Sequence, residues 1–222
     1  MNLIDAIQKR KSIRKFKSDL VPEETLMRIL EIATNAPSAM NTQPWEFTII
    51  TGKALERAKK MNIEKLRAKE TPHPEHGVMG WPPDGVFRRR QIDLAKQIFH
   101  IMDIAREDKE KRTQWMERGF RYFDAPAVII IMVDRSLSES GPLLDCGAVM
   151  QNICLAALNY DLGTCIEDQG LKYPRALREI AGIPDTKKIV IAIAIGYPDG
   201  DFPANSLETK REPIESITTW VR

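Results

Sequence analysis

A chain of 222 residues with 43% hydrophobic side chains is long enough to enclose one sizeable core and sits near the upper size of a single domain. Its 33 basic and 31 acidic residues leave a formal charge of +2, which excludes a global field for nucleic acid or an anionic membrane, so any anion site must be local. Cys146, Cys154 and Cys165 form no zinc spacing and read as reduced, buried thiols, and no apolar run reaches the roughly 20 residues of a membrane span.

The N-terminus is too short and too charged for a secretory signal, so a cytoplasmic protein is expected. Leu3, Ile4 and Ile7 predict a short amphipathic helix over 2–9 that delivers the chain to Arg10-Lys11-Ser12-Ile13-Arg14-Lys15-Phe16. If that stretch is extended, Arg10, Ser12 and Arg14 share one face while Lys11 and Ile13 point the other way, and two guanidinium forks with a hydroxyl can close on one phosphate. Charge alone favours a solvated basic loop. A second helix begins near Pro22, with Glu23 and Glu24 in its first turn and Leu26, Ile29, Leu30 and Ala33 as its buried stripe, and it ends before Pro37.

From Pro37 to Pro44 small and amide-bearing residues let the backbone approach a flat ligand, and Asn41 and Gln43 offer directional hydrogen bonds; an ordinary turn has the same composition. Trp45 to Ile50 reads as a strand and residues 53–69 as a charged helix. Four prolines between Thr71 and Gly85 forbid regular structure and predict a long loop of the lid type. His73 and His76 within it lack the further ligands zinc requires, and Arg88 to Arg90 read first as a solvated helix face. Ala127 to Val133 and Ile189 to Ile195 are apolar runs expected as central strands buried on both faces, and Leu143 to Tyr160 is a helix apolar almost all round. No G-x-G-x-x-G or G-x-x-x-x-G-K-[ST] motif supports a Rossmann or P-loop site.

The run Arg-Lys-Ser-Ile-Arg-x-Phe at 10–16 resembles the N-terminal signature of the nitroreductase family. Further matches follow in order: Ala36 to Trp45, Gln151-Asn152, Gly163-Thr164-Cys165-Ile166-Glu167, Gly196-Tyr197-Pro198 and Lys210-Arg211-Glu212-Pro213. The resemblance implies an α+β, three-layer α/β/α fold over 1–222, with a mixed, mainly antiparallel central sheet flanked by helices. It implies a homodimer that swaps C-terminal arms of about 200–222, with the helix Leu143 to Tyr160 at the interface.

It further implies FMN as cofactor, NADH or NADPH as reductant and a nitroaromatic, quinone or similar small molecule as acceptor, used in turn by a ping-pong mechanism. The FMN phosphate falls to Arg10, Lys11, Ser12, Arg14, Lys210 and Arg211. Pro37, Ser38, Ala39, Met40, Asn41 and Gln43 lie along the flavin ring, and Cys165, Ile166, Glu167 and Asp168 meet its centre. Ala39 and Met40 stand where many relatives carry Ser and Thr, and Asp168 where they often carry Gly, while Glu167 also suits a surface carboxylate. Residues 71–120 resemble an extended excursion over the active site, with Trp81 and Phe123 in the substrate lid. No catalytic side chain and no metal are implied; reductive dehalogenation, oxygen-dependent flavin cleavage and passive flavin binding are the alternatives.

Overall fold

The two apolar runs become the middle of the sheet: β2 (Ala127–Asp134) pairs antiparallel with β4 (Lys187–Gly196), with Ile129 opposite Ile193. β1 (Trp45–Thr51) adds to β2 and β3 (Gly163–Glu167) to β4, giving the order β1-β2-β4-β3 with every pairing antiparallel. Among the described residues the mixed character implied by the resemblance reduces to one parallel bridge, Ser12 to Thr164. The computed structural model describes residues 1–77 and 80–222; Val78 and Met79, part of the expected lid, lie outside the described residues.

Alternation along β2 and β4 divides the core. Ile129, Ile131 and Ile193 pack with α2 (Glu23–Ala33) and α6 (Gly141–Leu158), through Leu26, Ile29, Val149 and Ile153. Val128, Ile130, Ala192 and Ala194 pack with α3 (Gly52–Arg67) and α7 (Pro174–Ala181), through Leu55, Ala58 and Leu177. The result is helix, sheet, helix. Each fully buried Ile contributes about 1.5–3 kcal/mol relative to exposure, so this frame is the rigid base on which the loops hang. The remaining helices are α1 (Leu3–Lys9), α4 (Val86–Ile101) and α5 (Lys109–Phe120).

After α5 the chain makes a left-handed turn: Tyr122, Phe123 and Asp124 have φ of 54°, 53° and 60° although none is glycine. Side chains hold it there. Tyr122 Oη donates to Gly170 O at 2.8 Å, Arg121 Nε to Asp124 at 2.8 Å, and Asn62 Nδ2 to Phe120 O and Gly170 O at 3.0 Å each. Gly170 is required by space, since a Cβ there would lie 2.2 Å from the Tyr122 ring. The turn drives Phe123 inward to 7% exposure, in the cluster with Ile13, Phe16 and Leu171. Phe123 is therefore core beneath the sheet rather than part of the lid expected from the sequence.

The expected lid divides as well. Glu75, inside the proline-rich loop, accepts two hydrogen bonds from Arg178 Nη2 at 2.8 and 2.6 Å and one from Ile189 N at 2.7 Å, and it pairs with Arg135. His73 N adds a bond to Lys172 O at 3.0 Å. This half of the loop is a strap across α7 and the start of β4. Trp81 lies further along, with Nε1 donating to Gln91 of α4 at 3.3 Å; α4 and α5 form the excursion proper.

Candidate functional site

The basic run crosses the outer edge of β3. Ile13 N donates to Thr164 O at 2.9 Å, and Gly163 permits the approach, because a Cβ there would meet Ile13 Cγ1 at 2.4 Å. Two side chains fix the backbone: Asn205 Oδ1 accepts from Arg14 N at 2.6 Å, and Arg118 Nη2 donates to Arg14 O at 2.8 Å. Arg14 is thus held by its main chain, and among the described residues its guanidinium has only a 3.4 Å contact with Ser12 O. Among the described residues no carboxylate lies within ion-pair distance of Arg10, Lys11, Arg14, Lys210 or Arg211.

That leaves Arg14 half-buried and unneutralised, and burial lowers its pKa. Beside it the buried Cys165 thiol is pushed up to about 12 by burial, with Arg14 and Ser12 pulling the other way, so this cysteine is an inert wall. Arg10 differs from expectation. It caps α1 and, with Lys11, Gly163, Thr164, Asn205 and Ser206, borders a cavity of about 400 Å³, so the extended alternation begins at Ser12.

Because Thr164 turns its carbonyl outward to Ile13, alternation turns the Ile166 backbone outward too, and no main-chain partner meets Ile166 N–H there among the described residues. The β3 edge therefore offers an open donor and acceptor next to an uncompensated cation. Glu167 points inward. It is buried, with Oε2 accepting from Gly170 N at 2.9 Å and Oε1 lacking a partner among the described residues. Burial, aided by Asp168, pushes its pKa up to about 8 against the Gly170 and Gln169 amides and Lys172. Asp168 adopts φ −121°, ψ −8°, which any residue tolerates, and its side chain pairs with Lys172 at 2.6 Å, so glycine is not required there.

Residues 37–43 form a separate, mostly exposed loop leading into β1. Met40, Asn41 and Gln43 have φ of 51°, 58° and 46°, a conformation held by Gln43 N donating to Ser38 Oγ at 3.0 Å and Ala39 N to Asp145 of α6 at 3.3 Å. Lys210 and Arg211 are exposed; among the described residues Arg211 bonds locally, to Thr209 Oγ1 at 2.7 Å and main-chain oxygens nearby. No hydrogen bond or ion pair among the described residues joins either segment to residues 10–14. Sequence reading missed Asn205, Arg118 and Asp145, whose roles come from contacts more than 100 residues distant for each.

Residues 7–197 match the profile of the nitroreductase family. The chain belongs to that family. It is 33% identical to a chloronitrobenzene nitroreductase of Comamonas testosteroni, over 98% of this chain and 96% of the relative. It is also 39% identical to an iodotyrosine deiodinase of Thermotoga neapolitana, over 90% and 91%. Among solved structures, the FMN- and NADPH-dependent nitroreductase NfnB of Sphigopyxis sp. strain HMH superposes with a TM-score of 0.94 at 25% identity, over 100% of both chains. The FMN-dependent NfnB of Mycobacterium smegmatis, in complex with NADPH, superposes at 0.90 and 25% identity, over 99% and 97%. The signature at 10–16 and the segment 163–167 thus lie inside the family match, whereas Lys210 and Arg211 lie beyond its end.

Proposed function

We propose that this chain is an FMN-dependent oxidoreductase that takes hydride from NADH or NADPH and reduces a nitroaromatic or similar electron-poor acceptor. The observation that carries the reading is the half-buried Arg14, which has no carboxylate partner among the described residues and lies beside the open edge of β3 at Ile166. An anionic, planar cofactor fits this combination: cations meet its phosphate side while the Ile166 backbone meets the hydrogen-bonding edge of its ring. FMN, when bound, supplies the hydride and electron transfer that none of these side chains can perform. Ser12, Arg14 and the main chain of 165–168 position it, Arg10, Lys11, Lys210 and Arg211 add charge on the phosphate side, and α4 and α5 with Trp81 cover the pocket and exclude water.

Residues 37–43 enter β1 while the basic run lies on β3, at opposite edges three strand spacings or about 14 Å apart. A second copy that brings its loop to the first copy's β3 unites them. The apolar surface supports such a dimer. Leu144 of α6 is 83% exposed, α1 buries no residue, and Trp220, at 78%, lies in a C-terminal arm that presents Ile214, Ile217 and Val221 as well. α6 is long and apolar enough to cross a membrane by composition, yet it packs on the sheet and on α2, with Asn152 Nδ2 donating to Ala33 O at 3.2 Å. Sedimentation at micromolar concentration is expected to give twice the chain mass; a soluble monomer would remove this arrangement.

The purified protein is expected to show a flavin spectrum that bleaches anaerobically with NADH or NADPH and returns on adding a nitroarene. Donor and acceptor share one pocket in turn, so double-reciprocal plots should run parallel, and converging lines would reject alternating use. Arg14→Ala should weaken FMN about 10- to 100-fold, the equivalent of one charge-assisted bond of about 1.5–3 kcal/mol, and leave riboflavin affinity unchanged. Its main-chain bonds to Asn205 and Arg118 survive the substitution, so the loss reports the guanidinium alone. The likeness to the deiodinase supports a second reading, reductive cleavage of an aromatic carbon–halogen bond on the same cofactor. Iodide release from iodotyrosine, measured beside nitroarene reduction with the same reductant, separates the two.

A further inference from the structure

We propose that the groove between α4 and α5 is the site for the 2′-phosphoadenosine end of NADPH, which makes NADPH the preferred reductant; this rests on the oxidoreductase reading above. The groove holds about 730 Å³ and its lining includes Arg88, Lys96, His100, Arg106 and Arg112 but no acidic residue. Among the described residues none of these four Arg and Lys side chains lies within ion-pair distance of a carboxylate, although carboxylates pair with Arg67 of α3, Arg90 of α4, Arg118 of α5 and Arg121 just after it. Four like charges around one hollow repel each other until an anion enters. In a chain whose formal charge is only +2, such a concentration is local rather than a consequence of composition.

The remaining lining matches the rest of the ligand. Ile92, Ala95, Phe99 and Ile104 give an apolar floor. The Arg112 guanidinium lies 5.1 Å over the Phe99 ring, and its Nη1 donates to Arg106 O at 2.9 Å, two contacts that restrain it at the groove. A purine stacks on a guanidinium plane, while the forks of the neighbouring arginines take a phosphate dianion in bidentate fashion. Ile104 is shared with a second cavity of about 450 Å³ that contains Arg118 and Phe202. Arg118 there donates to Arg14 O at 2.8 Å, which places the far end of this track against the segment assigned to FMN. In the proposed pose the nicotinamide end of a dinucleotide anchored at the groove runs past Ile104 and Arg118 toward the segment assigned to FMN. NADH lacks the 2′-phosphate and would forgo the four cations.

Calorimetric titration of the purified holoprotein with 2′,5′-ADP and with 5′-AMP tests the site without turnover. The 2′-phosphate is expected to bring at least a tenfold tighter binding, lost about 10- to 100-fold in Arg112→Ala and in Arg106→Ala and partly restored by Arg112→Lys. In the same variants the NADPH-to-NADH ratio of kcat/KM should fall by a similar factor, with flavin content at the parent's level. Equal affinity for the two nucleotides, or 2′,5′-ADP binding indifferent to both substitutions, overturns the groove assignment. A 3′,5′-ADP control that binds as tightly as 2′,5′-ADP would also overturn it, since the pocket would then read phosphate without position. A protein that carries no flavin, or is bleached by neither dinucleotide, sinks the oxidoreductase reading instead, and the two failures are told apart by the spectrum.

Discussion

Glu75→Ala is expected to destabilise the fold by about 3–5 kcal/mol, the usual consequence of removing one partner from a buried ion pair. Arg178 is buried to 8% side-chain exposure and Glu75 to 14%, so the guanidinium left behind would be an uncompensated charge facing the start of β4. The substitution also orphans Ile189 N, which donates to Glu75 at 2.7 Å, and frees the strap that ties residues 71–77 to the body. Denaturant unfolding of the parent and variant measures the difference; a loss under 1 kcal/mol would mean the strap is a solvated surface contact. Burial alone would raise the Glu75 pKa, but bonds from Arg178 and Ile189 N and the charges of Arg178 and Arg135 outweigh it and hold the carboxyl below its usual value. Its contribution is therefore complete above the unfolded pKa and disappears as the pH falls through the lowered folded value. The acid limb of the stability curve should flatten in Glu75→Ala.

Much of the frame was legible because the apolar runs at 127–133 and 189–195 admit few other places than the centre of a sheet. The helix at 141–158 and the basic run were equally plain, since periodicity and charge are local properties. What escaped reading depends on long-range contact. Glu75 and Arg178 are separated by 103 positions, and neither neighbourhood signals the other. The left-handed turn at 122–124 has no glycine to announce it and is imposed by Tyr122, Gly170 and Asn62 from three different elements. β3 was recognised as a motif but not as a strand, being only five residues long. α7 did carry signals that were passed over: Pro174 in its first turn, and Gly182 in the left-handed conformation at its end. The basic run was legible as a concentration of charge, whereas its main-chain anchors Asn205 and Arg118 lie 191 and 104 positions away and left no local signal.

Stability should fall as the pH rises from about 4.5 to 8 by roughly 3–5 kcal/mol from Glu167 alone, a window opposite in sign to that of Glu75. With its folded pKa at about 8 and an ordinary value of 4.5, this buried acid keeps its proton in the native state where the unfolded chain has already lost it. Native stabilisation is thus fully present below the unfolded pKa and is lost as the pH passes upward through the folded one. The surroundings favour the neutral form. Gly170 N supplies one hydrogen bond, Oε1 has no donor among the described residues, and Asn62 Oδ1 is a second buried acceptor without a partner in the same cluster around Gly170. A carboxyl proton is the donor this cluster lacks, whereas ionisation would place charge on an oxygen that already has no donor. Glu167→Gln keeps the shape and brings an amide donor, so it is expected to equal or exceed the parent in stability at pH 8 and to remove the decline between pH 4.5 and 8. Glu167→Ala should lose stability at every pH, because Gly170 N is then buried without an acceptor. Unfolding curves at intervals across that range decide the matter: a parent whose stability is flat there, with Glu167→Gln running parallel to it, would mean that the carboxyl is ionised in the fold and that an unseen donor satisfies Oε1.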